Sequence, residues 1–129
     1  MIPGGLKILL AIEPIDMRRS IDGLVLAVAE RLKKDAAVER ALYVFANLRR
    51  DRVKVLWRDA TGWCLLYKRL EGAQATLPEV AAGSVSVHVD ARLLMSILDG
   101  TKKRPTAREI VREAREKVSS TAPISRVRR

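Results

Sequence analysis

Residues 42–70, LYVFANLRRDRVKVLWRDATGWCLLYKRL, decide the fold. Three runs rich in β-branched and aromatic residues, 42–47, 52–58 and 62–70, are separated by the turn-like segments LRRD and DATG. Connections this short leave no room for a crossover helix, so the spacing predicts a three-stranded antiparallel meander. In the second run Val53, Val55 and Trp57 share one face, while Arg52, Lys54 and Arg58 share the other with Leu56 among them. The third run mixes its faces, Trp63, Leu65, Tyr67 and Arg69 against Cys64, Leu66, Lys68 and Leu70, and is expected to be covered on both sides.

On the N-terminal side, residues 7–12 form an aliphatic run that reads as a strand, stopped at Pro14, which has no amide proton to donate. A polar connection over 15–20 leads to Ile21, Leu24, Val25, Val28 and Leu32, which recur at helical spacing. Ser20 is the expected N-cap, with Gly23 weakening the first turn by about 1 kcal/mol. On the C-terminal side, 72–83 reads as a loop around Pro78, and Val85, Val87 and Val89 alternate with polar residues as in a half-buried strand. Asp90 is placed to cap a short helix carrying Leu93, Leu94, Ile97 and Leu98 and ended by Gly100. Thr106 and Glu109 form a capping-box pattern before a helix to about Val118, whose apolar stripe of Ile110, Val111, Ala114 and Val118 is thin. The expected architecture is therefore α+β. A mainly antiparallel sheet, the meander plus flanking strands, packs with one long and one short helix in a single domain over residues 1–100. A basic linker, a short helix and a mobile tail follow over 101–129.

Composition narrows the function. The chain has 129 residues, 25 Lys and Arg against 15 Asp and Glu, and a net charge of +10. The excess is local: residues 41–70 carry +5 and residues 101–129 carry +7, whereas 1–40 carry +1 and 71–100 carry −3. All five aromatics, Tyr43, Phe45, Trp57, Trp63 and Tyr67, fall in the basic 41–70 block. A polyanion is the first partner to consider. One cysteine (Cys64) and one histidine (His88) exclude an intramolecular disulfide and an all-Cys/His zinc site. No apolar run approaches the roughly 20 residues that span a bilayer, and MIPGGLK has no signal-peptide pattern. A cytoplasmic protein without a membrane partner is expected, nucleoid-associated if bound to DNA.

No catalytic constellation assembles. His88 lies on the polar side of its strand, Cys64 reads as a packed small hydrophobe, and no Gly-rich phosphate loop is present. Asp16, Asp22, Asp51 and Asp59 are the candidates for a Mg²⁺-dependent nuclease, but helix-start and turn roles account for each of them. No metal, cofactor or small-molecule substrate is expected. The stronger signal is cationic. Arg49, Arg50, Arg52 and Lys54 cluster at a tight turn, with Arg58, Lys68 and Arg69 further along the meander. Guanidinium forks match phosphate oxygens, and several together release condensed counterions on binding.

Several ordered blocks resemble a known family. Pro14-Ile-Asp-Met-Arg18 followed by Ile21-Asp-Gly-Leu24 is similar to the P-x-D-M-R … D-G-L opening of the small accessory protein of insertion-sequence-66 elements. This is the TnpB or second-ORF product, distinct from the RNA-guided nuclease that shares the name. Val44-Phe45, Arg49-Arg50-Asp51-Arg52-Val53-Lys54-Val55-Leu56, Gly62-Trp63-Cys64-Leu65, Tyr67-Lys68-Arg69-Leu70-Glu71 and Leu98-Asp-Gly100 continue the match in order over roughly residues 12–100. After Glu71 the family usually has a basic residue, Phe and Trp-Pro, whereas this chain has Gly72-Ala-Gln-Ala-Thr-Leu-Pro78.

The resemblance implies a non-enzymatic accessory factor encoded beside a separate transposase. It carries over no catalytic residue and leaves Pro14, Asp16, Met17, Arg18, Asp22, Gly23, Tyr67 and Glu71 as motif positions without an assigned role. Together the two lines predict DNA-phosphate contacts by Arg49, Arg50, Arg52, Lys54, Arg58, Lys68 and Arg69. A transposase partner is expected in addition, or in place of DNA if the same block serves only as a protein adaptor.

Overall fold

The computed structural model describes residues 3–102 and 107–121. β1 (Ile8–Ala11) leads to α1 (Ile21–Ala27), which runs on into a wider π-helical turn over Val28–Leu32. The meander follows as β2 (Leu42–Ala46), β3 (Arg52–Arg58) and β4 (Trp63–Arg69). Next come β5 (Ala73–Gln74), β6 (Ser86–Val89), α2 (Ala91–Asp99), β7 (Thr101–Lys102) and α3 (Ala107–Thr121). The architecture is α+β. The expected capping box at Thr106, the linker over 103–105 and the end of the tail over 122–129 lie outside the described residues.

The main sheet has the order β4-β3-β2-β1-β6. Its pairings are antiparallel except β1 with β2, which α1 separates in sequence and which run parallel. All five residues of β2 are buried because the strand is central and covered on both faces. One face is sealed by Leu24, Ala27, Val28 and Leu32 against Leu9, Tyr43, Phe45 and Leu56. The other is sealed by Leu94, Ile97 and Leu98 against Ile8, Val44, Val53, Val55 and Trp57. Each large apolar side chain buried in this way contributes roughly 1.5–3 kcal/mol, so the two interfaces on the sheet carry the fold. β4 is an edge strand. Trp63 and Leu65 pack toward α1 while Cys64 and Leu66 pack toward α2, yet Tyr67 remains 52% exposed.

Local chemistry accounts for the ends of the elements. Asp90 caps α2, its carboxylate accepting the Leu93 amide at 2.7 Å. Ser20 occupies the N-cap position of α1 and its carbonyl accepts the first helical bond, from the Leu24 amide, but its side chain makes no capping hydrogen bond, contrary to expectation. The helix closes at Lys33 in a left-handed conformation, φ 58°. The 72–83 segment is not all loop, since β5 pairs with β7 in a second, two-stranded sheet. Two-residue strands are too short to show a period, which is why they are silent in the sequence.

Gly100 joins α2 to β7 at φ 73°, ψ 178°, a region open essentially to glycine alone. A Cβ there would stand 2.6 Å from the Gln74 carbonyl oxygen. Gly100→Ala is expected to lower stability by at least about 2 kcal/mol. In urea denaturation this reads as a lower midpoint with an unchanged slope.

Candidate functional site

The turn between β2 and β3 is built from its first residue. The Asn47 carbonyl accepts from the Arg50 amide at 3.0 Å, and its side-chain oxygen accepts from the Arg52 amide at 3.0 Å. The Asn47 side-chain nitrogen donates to Asp51 at 2.7 Å. Arg50 takes the left-handed conformation, φ 61°, that such a turn requires.

The next segment holds the turn from behind. The carbonyls of Arg49, Arg50 and Asp51 accept, respectively, from the Gln74 side chain at 2.7 Å, the Ala75 amide at 2.6 Å and the Leu70 amide at 2.7 Å. Held by these four carbonyls, from Asn47 and Arg49 to Asp51, the turn presents Leu48, Arg49 and Arg50 to solvent, Leu48 being 80% exposed. Among the described residues, Arg49 and Arg50 have no carboxylate partner. The other cations near the turn do: Arg52 pairs with Asp51 at 3.3 Å and Arg69 with Glu71 at 3.0 Å.

Lys54 lies elsewhere than expected. It is only 6% exposed, and its ammonium donates to the carbonyls of Met17 at 2.7 Å and Arg19 at 2.6 Å. The ring of the cross-strand neighbour Tyr67 lies over it, 4.9 Å from nitrogen to centroid. An ammonium with its donors spent on two carbonyls and its open side roofed by a ring is not a phosphate contact. Lys54 is therefore a structural residue that ties the 16–19 segment to the sheet. An alternating strand offers no hint of this, because a lysine on the polar face reads as exposed until another segment is known to cover it. Leu56 on the same face was the available signal.

This tie brings two separate motifs together. Asp16, Met17 and Arg18 meet Asn47, Leu48, Arg49, Arg52 and Tyr67 around an open cleft of about 540 Å³, with Ile15 at its base. Asp16 accepts from the Arg18 amide at 2.9 Å and pairs with its guanidinium at 2.6 Å. These bonds from Arg18 hold the Asp16 carboxyl down at about 2. The remaining motif residues serve the frame. The Pro14 carbonyl accepts from Arg31 at 3.1 Å, Asp22 sits in the first turn of α1, and the Gly23 carbonyl accepts from Arg19 at 3.1 Å.

The other cations do not join the cleft. Register places Arg52 opposite Arg69 on the α1 side but Lys68 opposite Val53 on the α2 side. Arg58 lies at the far end of β3, stacked over Trp63 at 5.3 Å. The expected basic block is thus divided across two faces and both ends of the meander. The four aspartates are equally dispersed: Asp59 accepts the Thr61 and Gly62 amides at 2.9 Å within its own turn, and Asp51 serves Asn47 and Arg52. Among the described residues no three His, Cys, Asp or Glu side chains converge as metal ligands would. No described helix is long and apolar enough to cross a membrane.

Away from the sheet, α3 carries Ile110, Val111 and Val118 at 53%, 48% and 66% exposure, with Ala114 between them. Arg108 and Arg115 follow along one rim of this stripe.

A family model described as IS66 Orf2-like protein matches residues 6–108. Among curated relatives, the uncharacterized protein y4jC of Sinorhizobium fredii (strain NBRC 101917 / NGR234) is 34% identical over 109 residues, covering 79% of this chain and 92% of the relative. The uncharacterized protein y4hO of the same organism is 32% identical over 89 residues, covering 67% of this chain and 76% of the relative. No solved structure matches the chain.

Lys54→Met keeps the apolar stem but leaves two carbonyls without their donor, at an expected cost of about 1–3 kcal/mol. Amide exchange is expected to accelerate in residues 16–20 more than in the β2–β3 core. Arg50→Gly relieves the left-handed conformation and should raise stability by about 1 kcal/mol, read as a higher thermal midpoint. The Asp16 carboxyl, held at about 2 against an ordinary 3.8, stays ionised to acid pH. Its contribution is present above the ordinary value and is lost as pH falls through 2, so its carboxyl carbon signal should titrate with a midpoint near 2 and move up in Arg18→Ala.

Proposed function

The chain belongs to the IS66 Orf2-like family, and on that premise we propose that it acts in transposition as an accessory protein that grips DNA phosphates at the rim of the cleft. The observation that carries this reading is the pair Arg49 and Arg50. They stand exposed on a turn held by bonds to the carbonyls of Asn47, Arg49, Arg50 and Asp51, and no carboxylate among the described residues neutralises them. The planar guanidinium fork can bond two phosphate oxygens at once, so less side-chain freedom is lost per hydrogen bond formed. Arg18 and Arg52 line the same cleft. The exposed Arg18–Asp16 pair is worth only about 0–1 kcal/mol, so a phosphate can replace Asp16 at small cost, whereas Asp51, 15% exposed and bonded to Asn47, keeps its hold on Arg52. Lys54 takes no part, and Lys68 and Arg58 belong to other surfaces.

A second reading draws on α3. The half-exposed Ile110 and Val111 make an apolar stripe that DNA would leave in water, which favours a protein partner there. Arg108 and Arg115 on its rim fit an acidic border on that partner, the transposase.

Affinity for element-end and random DNA, titrated with salt, tests the first reading. Each phosphate neutralised adds about 0.9 to the slope of log affinity against log salt. The double variant Arg49→Ala, Arg50→Gly is expected to reduce that slope by about 2 while remaining folded. An unchanged slope overturns the assignment. Capture of purified transposase without DNA, abolished by Ile110→Asp with Val111→Asp and unaffected by the Arg49 and Arg50 changes, would instead place the protein contact on α3.

A further inference from the structure

The cleft contains an aromatic ring that phosphate binding does not use. Tyr67 is 52% exposed. One side of its ring is occupied by the Lys54 ammonium at 4.9 Å, so its exposed area belongs to the opposite side and the edge. That side opens into a cleft bordered by Arg18, Arg49 and Arg52.

The cleft is open and shallow, so a ligand would lie on the half-exposed ring with the guanidinium groups of Arg18, Arg49 and Arg52 beside it and would not be enclosed. A flat ring among phosphate-binding cations is the arrangement by which proteins hold unpaired bases: cations track the backbone and the ring stacks the base. The buried ammonium adds two features. Its two carbonyl bonds and the ring contact fix the ring from beneath. Its charge also draws π-density away from the open side, which favours stacking with an electron-rich base.

We infer that Tyr67, backed by Lys54 and bordered by Arg18, Arg49 and Arg52, is a stacking site for one unpaired base of a DNA strand. This rests on the phosphate-binding reading and extends it from duplex DNA to frayed or single-stranded DNA. Paired bases present no open face to the ring, so the site discriminates by strand state and not by base-edge hydrogen bonds.

The experiment uses the full chain and a short oligonucleotide containing 2-aminopurine, as a single strand and as a duplex, with the variants Tyr67→Phe and Tyr67→Leu. Leucine keeps apolar cover over the Lys54 stem while removing the ring, and circular dichroism checks that both variants fold. Wild type and Tyr67→Phe are expected to quench the probe in the single strand. Tyr67→Leu is expected to abolish quenching and lower the single-strand to duplex affinity ratio roughly tenfold. Salt-dependent binding of both forms without quenching, or an unaltered ratio in Tyr67→Leu, overturns the stacking site and leaves phosphate binding standing. Salt-insensitive or absent binding of both forms overturns both. Displacement of the strand by polyglutamate as effectively as by unlabelled DNA assigns the cleft to an acidic polypeptide instead.

Discussion

A buried lysine ammonium is the constraint on which the site depends. Removing a cation from water is costly unless its donors are satisfied, and Lys54 meets that condition with two backbone carbonyls and an aromatic roof. The same bonds work in the other direction. The carbonyls of Met17 and Arg19 belong to a segment outside the sheet, and Lys54 supplies their donor. With the Ile15 amide, which donates to the Ala46 carbonyl at 3.0 Å, this side chain joins the segment before α1 to the sheet. Asp16 and Arg18 are brought beside the β2–β3 turn as a consequence, and sequence-distant motifs share a cleft.

The turn itself shows how a fold makes a charged surface without spending its charges internally. Three consecutive carbonyls, from Arg49 to Asp51, are bonded by the 70–75 segment, so backbone bonds hold the turn and the arginine side chains are not needed for it. Gly100 extends this support outward, because only a residue without a side chain lets β7 approach the Gln74 carbonyl and complete the small sheet behind the turn. The structural work thus falls to Asn47, Gln74, Gly100 and Lys54. The side chains of Arg49 and Arg50 take no part in it.

Much of the frame was legible. Alternation in β3, the turn residues of LRRD and DATG, the periodic stripe of α1 and the Asp90 cap are local patterns whose physics is complete within a few residues, and the structure follows them. What was not legible depended on contacts between distant segments. Lys54 reads as one more surface cation because its partners are backbone groups 35 and 37 positions away, and backbone leaves no mark in a sequence. Ser20 has the right chemistry for a cap and makes no such bond. The seven cations of residues 41–70 look like one patch on paper, yet strand register sends Arg52 and Lys68 to opposite faces. The clustering of family motifs on one cleft follows from the 16–19 segment being bonded to Lys54 of β3, a contact no local pattern encodes.

Charge in this chain therefore has to be weighed by position. Among the seven basic residues of 41–70, one is buried, one stacks on Trp63, two sit beside carboxylates and one faces α2, which leaves Arg49 and Arg50 as the pair that is exposed without a carboxylate partner among the described residues. The larger excess near the C-terminus is of a different kind. Along α3 the cations share their helix with Glu113 and Glu116 and border an apolar stripe, so a polyanion and a protein surface would each engage only part of it. A net charge of +10 counts these residues alike. The backbone separates them, holding two arginines outward on a braced turn and spreading the rest over surfaces with other neighbours.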